Sequence, residues 1–302
     1  MRNPTANDWL ILLALVAAWG SSFVMTKVAV NHMDPAWVMA LRLVIAGAIL
    51  IAVAVMTGTA LPRPLRLWGW FTWLGIIGHA APFFLISWGT QFVTSGLSGV
   101  LMGAIPLIVI VFAHVFLPDE PLTPIKALGF VIGFVGLMLV LGFENILAFD
   151  TSTAALKGEL AILLGCLCYA AHGIFARKIP FHDPIPQSAA VCATGGVVGT
   201  CFALAVAPID LTSAPPTALL SVLGLGILPT ALATLFVYRI VRTAGVSFVA
   251  YSNYLVPIYA LGFGALVLDE QLDWNVAVGL TLILVGIAAS RLNLRKTKAF
   301  TS

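Results

Sequence analysis

The chain has 302 residues, 61% of them hydrophobic and only 9% charged, with a formal net charge of +3. Soluble domains carry about 25% charge, so this composition excludes a water-soluble globule. The basic residues are scattered over connections rather than gathered on a face, so the net charge is no sign of a nucleic-acid surface, and no nucleic-acid partner is expected. The remaining solvent for so much apolar surface is a lipid bilayer.

Ten segments are apolar enough to cross a hydrocarbon core, which takes roughly 20 residues per helix: 9–29, 35–57, 67–90, 95–117, 124–143, 158–178, 186–207, 217–238, 246–268 and 274–292. Unpaired backbone groups are too costly in lipid for anything but helices or a closed barrel, and runs this long exclude barrel strands. The fold class expected is therefore all-α integral membrane. The first segment ends at Lys27 without a small-x-small cleavage pattern and leads straight into another span, so it reads as a retained helix.

In chain order, the first segment carries Trp9 near one interface, then Trp19-Gly-Ser-Ser-Phe23 and Lys27. The small residues let a neighbouring helix approach, leaving Trp19 to line a cavity or to pack. Lys27 either snorkels to headgroups or serves a gate or an ion pair. Arg42 lies two turns into the second segment, roughly 10 Å deep at 1.5 Å per residue. A group there must face protein or water and have a partner; Asp34 or a backbone carbonyl is available.

The third segment begins with Trp68, Trp70 and Trp73, an interfacial belt, and continues through Gly78-His79-Ala-Ala-Pro82 to Trp88. Pro82 frees a carbonyl one turn earlier, so His79 serves either a structural hydrogen bond or a ligand. The fourth segment has Met102 before Pro106, with His114 near its interfacial end, and the fifth carries Gly129, Gly133 and Gly136. In the sixth, Cys166 and Cys168 cannot face one metal site on a helix, and they read with Cys192 and Cys201 as buried small residues. Tyr169-Ala-Ala-His172-Gly173 and Arg177 follow. Gly195-Gly196 and Gly199 in the seventh segment imply tight packing or bending. The eighth repeats the proline device at Leu228-Pro229-Thr230, followed by Tyr238. The ninth offers Tyr251-Ser-Asn253-Tyr254-Leu-Val-Pro257, where a membrane-buried Asn253 is either helix glue or a substrate contact. The tenth returns to the seven-residue glycine spacing with Gly279 and Gly286, a packing stripe that either buttresses the halves or forms a dimer surface.

These features repeat at an offset of about 150 residues. Thr94-Ser-Gly96 opens an apolar run broken by Pro106 and stopped at Asp119-Glu120. Thr243-Ala-Gly245 opens another, broken by Pro257 and stopped at Asp269-Glu270. Trp19 to Lys27 maps onto Tyr169 to Arg177. Residues 1–150 and 151–302 thus read as two copies of a five-helix unit in one membrane bundle. With the amino terminus cytoplasmic, Arg2, Arg63, Arg66, Lys126, Arg177, Lys178, Arg239, Arg242, Arg291, Arg295, Lys296 and Lys298 fall on cytoplasmic ends, leaving only Lys27, Arg42 and Lys157 elsewhere. Both termini are expected inside. An odd number of crossings per unit inverts the second copy, the architecture of secondary transporters that alternate access around a midplane site.

The duplicated unit, the Trp-Gly-Ser-Ser-Phe sequence ending in Lys27, the Pro106 helix closing on an acidic turn and the glycine-spaced helix after it resemble the EamA repeats of the drug/metabolite transporter superfamily. The resemblance covers essentially the whole chain, and within it the chain is most similar to the YddG-type amino acid exporters. Asp119 and Asp269 stand where the family has a small residue, a departure in the turns. The resemblance implies ten helices, a bacterial inner membrane, and export of amino acids or related metabolites through a central cavity built from both halves.

The lining expected from the residues is Trp19, His79, Trp88, Met102, Tyr169, His172, Tyr251, Asn253 and Tyr254, with helix breaks at Pro82, Pro106, Pro229 and Pro257. No carboxylate lies near a helix centre, which weakens both cation selection and proton coupling through a fixed acid. An uncharged cavity suits a zwitterion with an apolar or aromatic side chain, moved by a facilitator, with His79 or His172 as the groups able to titrate. The alternative is a multidrug or quaternary-cation exporter using the same aromatics for cation–π contacts. No metal-spaced histidine cluster, nucleophile–base pair or phosphate-cradling loop argues for an enzyme, and no cofactor or metal is expected. The expected assembly is a monomer or weak homodimer.

Overall fold

A computed structural model describes residues 4–59, 61, 64–116, 123–141, 154–176, 183–208 and 214–290. The described residues are helical and contain no strand. The helices are α1 Ala6–Val30, α2 Pro35–Met56, α3 Leu65–Thr90, α4 Ser95–Phe116, α5 Pro124–Leu141, α6 Ala154–Ala176, α7 Pro184–Val206, α8 Pro216–Thr243, α9 Ser252–Leu268 and α10 Trp274–Ser290. Of these, 8 are long and apolar enough to cross a membrane, and α9 and α10 are shorter apolar helices of 17 residues. Large apolar side chains such as Leu13, Val115, Leu204, Leu220 and Val285 face outward, as they do when the surroundings are hydrocarbon. The Asp119-Glu120 turn, Arg2, Arg63, Arg177, Lys178 and the basic residues after Ser290 lie outside the described residues.

Short polar side chains start the helices by taking their orphan amide donors. Thr5 and Asp8 form a capping box on α1, with the Thr5 amide donating to Asp8 Oδ2 at 2.8 Å. Asp34 accepts from the Ala36 amide at 2.8 Å, and Pro35 opens α2. Asp34 is therefore spent as a cap and is not the partner of Arg42.

The four prolines named as helix breaks stand in different settings, each withholding a donor from the turn before it. In α3 the segment Ile76–Ala80 just ahead of Pro82 is a π-helical turn, and in α8 Pro229 lies inside a second one, Ile227–Leu232. In α4 the helix stops at Met102 and resumes at Ile105, so Pro106 stands second in the renewed stretch instead of at the break. Pro257 is inside α9, and the interruption lies earlier, between a short turn Val246–Val249 and Ser252. This interruption shortens the segment expected at 246–268.

The packing pairs helices across the two halves. α5 packs on α10, α2 on α7, and α4 on α9; α1 packs on α8 and α9 as α6 does on α3 and α4, and α2 meets α8 as α7 meets α3. Exchanging each helix for the one five places later reproduces the same set. The α5–α10 contact is glycine against glycine: a Cβ at Gly136 would come within 2.6 Å of the Gly279 carbonyl, and one at Gly286 within 2.5 Å of the Gly129 carbonyl. The glycine stripe is thus used inside the chain. Gly195 lies against Gly75 and Gly199 against Met39 in an unbroken α7, which makes them packing residues and not a bend. Cys166 and Cys192 are buried as expected, whereas Cys201 is exposed on the outer surface of α7.

Candidate substrate site

The two π-helical turns face a single polar cluster. Arg42, the eighth residue of α2, is 9% exposed and donates from Nε to Thr230 Oγ1 at 2.8 Å. Thr230 in turn donates to the Leu225 carbonyl at 2.8 Å, five residues back, a bond the widened turn makes possible. The guanidinium lies 3.8 Å over the Phe83 ring, a cation–π contact that gains strength away from water. Tyr169 and Cys192 are its electrostatic neighbours. Phe83 meets Tyr169 edge-on at 6.4 Å between ring centroids, and His79 meets Phe83 at 5.6 Å and His172 at 5.8 Å. A Cβ on Gly78 would collide with the His172 ring, so the glycine lets α3 and α6 approach closely enough for the two imidazoles to meet.

Not all donors in this cluster are satisfied. A guanidinium carries five N–H groups, and only the Nε donor is taken by a protein acceptor among the described residues. No described carboxylate pairs with Arg42. Among the described residues the buried side-chain atoms without partners are His79 Nδ1 and Ser95 Oγ; the terminal nitrogens of Arg42 are not among them and keep some accessible surface.

Of the residues expected to line a cavity, His79, Tyr169 and His172 join this cluster. Met102 adjoins it through α6, 3.7 Å from the Cys166 sulfur, and packs with Tyr169 and Tyr254 against one apolar group that includes Leu101 and Ile162. Trp19 and Met102 flank a neighbouring group, Val16, Phe23, Val256 and Ala260. Asn253 is half-buried in the first turn of α9, its carboxamide unbonded among the described residues.

Two expected residues belong elsewhere. Trp88 lines a cleft of about 590 Å³ with Asn31, His32, Asp34, Gln91 and Phe202, at the end of the bundle where α1 turns into α2. Tyr251 is half exposed at the opposite end, in an aromatic group with Trp9 at 5.9 Å and Phe248 at 5.7 Å. The cluster is also not uncharged, since it contains Arg42. Arg42, Phe83 and Thr230 were missing from the expected lining. A depth of two turns flagged Arg42 and the Pro229 break flagged Thr230, whereas nothing in the sequence distinguishes Phe83 from its apolar neighbours.

Lys27 shows the opposite arrangement. Its Nζ donates to the carbonyls of Thr90 at 2.9 Å, Gln91 at 3.2 Å and Val93 at 2.8 Å, so it binds the end of α3 instead of snorkelling. Nearby, the Glu270 carboxylate accepts the amides of Ser95 at 2.7 Å and Gly96 at 2.9 Å, an anion at the positive end of α4.

A multi-pass helical membrane protein that holds an incompletely partnered cation and a histidine pair between its halves has the construction of a solute carrier. A family model for the EamA-like transporter family matches the chain twice, over residues 8–142 and 156–292. The chain is 26% identical to the uncharacterized transporter YoaV of Bacillus subtilis, over 91% of this chain and 94% of that one. It is 28% identical to the uncharacterized transporter YcxC of the same organism, covering 92% and 90%. An uncharacterized transporter of Archaeoglobus fulgidus is 23% identical, covering 93% and 97%. A crystal structure with 19% identity superposes at a TM-score of 0.67, covering 95% of this chain and 98% of that one, and shares the fold. The chain belongs to the EamA-like transporter family. It is a membrane transporter of the drug/metabolite transporter superfamily and not an enzyme.

Proposed function

We propose that this transporter exports neutral amino acids, with apolar or aromatic side chains favoured, across a bacterial inner membrane. In this reading residues 1–150 and 151–302 are five-helix repeats of opposite orientation, ten crossings in all. Both termini are cytoplasmic, and the halves rock around the cluster between them. The exchange pattern of helix contacts and the twofold family match support the duplicated architecture. The observation that carries the substrate reading is the cluster itself. Phe83, Tyr169 and the two histidines give a π-lined space for an apolar side chain, and polar groups within it meet the charged ends of a zwitterion. Arg42 weighs against the quaternary-cation alternative, because a fixed guanidinium repels a second cation in a medium of low dielectric.

Counterflow of each of the twenty amino acids into proteoliposomes, at matched and unmatched pH, tests the proposal. Exchange of phenylalanine, leucine or similar solutes without a pH gradient is the expected result. Strict dependence on a proton gradient refutes the facilitator mechanism, and accumulation of lipophilic cations with no amino acid exchange refutes the substrate class.

A further inference from the structure

The cluster also specifies which end of a substrate it holds. We propose that Arg42 is the anchor for a carboxylate, bound by the terminal nitrogens of its guanidinium; the inference rests on the substrate reading above and narrows it to one group. An arginine in a membrane interior is costly and is kept where it meets an anion or water. Here Thr230 fixes Nε and the Phe83 ring supports one face. The planar fork is therefore held in one orientation with its outer edge open. That edge matches the two oxygens of a carboxylate in a bidentate pair. No described Asp or Glu fills this role, and His79 Nδ1, a buried atom without a hydrogen-bond partner, belongs to the same cluster through Phe83. Cys192 is the guanidinium's neighbour on α7. It occupies the position about 150 residues on from Arg42, so the second copy supplies no matching cation. The anchor is single and lies off the centre of the repeat, which gives the substrate a defined head and tail.

Ligand binding to the purified full-length transporter in detergent, followed by thermal unfolding, tests this with three probes that share a phenyl ring: phenylalanine, phenylalaninamide and 3-phenylpropionate. The two carboxylates are expected to bind the wild type at least about tenfold tighter than the amide, the scale of one hydrogen-bonded charge pair. Arg42→Gln is expected to abolish that preference and Arg42→Lys to restore part of it. Thr230→Val keeps the charge but frees Nε, and is expected to weaken both carboxylates several-fold; it serves if Arg42→Gln does not fold. Equal affinity for acid and amide in the wild type, or no binding by any of the three, overturns the anchor. A carboxylate preference that survives in Arg42→Gln overturns it as well. The separate outcomes remain readable: carboxylate preference without amino acid counterflow sustains Arg42 and removes the amino acid reading, and counterflow without carboxylate preference does the reverse.

Discussion

Lys27 and Arg42 are both cations inside apolar helices, and they are held in opposite ways. Each of the three carbonyls around Lys27 takes a hydrogen bond, and Glu270 nearby is committed to two amides. Among the described residues the unpartnered buried group there is the neutral Ser95 hydroxyl. Arg42 has one protein acceptor and one aromatic face, with the rest of its fork open. A desolvated charge with its hydrogen bonds consumed is a fastening, whereas one with donors to spare holds its unspent interaction for a ligand. The difference separates a cation engaged in fastening helix ends from the one that the proposed function places against solute.

The largest expected effect is at the open cation. Arg42→Ala should lower counterflow by about tenfold to a hundredfold, the loss of a charge-assisted pair, with surface expression retained; near-normal transport would erase the distinction drawn here. Next, Gly286→Ala should destabilise the α5–α10 contact by about 1–3 kcal/mol through overpacking, read as a lowered Tm in detergent, while substrate affinity of the folded fraction stays unchanged. A smaller shift is expected at the fastening. Glu270→Gln keeps the shape and removes the charge that two amides donate to, costing about 1–2 kcal/mol. It should raise labelling of a cysteine introduced at Thr94 by an impermeant reagent, because the Lys27 end opens more often. The smallest effects belong to Trp88→Ala and Tyr251→Ala, which should stay within about twofold of wild-type transport, since both positions lie at the ends of the bundle away from the cluster. A large loss at either residue would mean that the cluster is only part of the path.

Several of these features follow from the sequence alone. Pro82 and Pro229 announced interruptions because a missing donor acts on its own helix, a local effect; that each takes the form of a π-helical turn is seen only in the structure. The glycines at 129, 136, 279 and 286 announced a close helix contact for the same reason, since a seven-residue spacing lays them on one face. Tyr169, His79 and His172 could be chosen as polar or aromatic groups beside small residues. Trp88 and Tyr251 passed the same test and failed in space: residue type and depth do not report which direction around the helix a side chain points. Arg42 shows the limit most clearly. Its need for a partner followed from depth, yet Asp34, near in sequence, is occupied as a cap, and the acceptor is Thr230, 188 residues away.

By itself, then, the sequence determined the solvent and the helices, because these depend on hydrophobicity and backbone chemistry within a turn or two of the chain, and the duplication, because the same residues recur at a fixed offset. Only the tertiary structure decided that Arg42, Phe83, His79 and Thr230 meet, which of the cations is fully engaged, and which aromatics are left outside. Those outcomes depend on how helices from separate halves are rotated against one another, a property no single segment encodes.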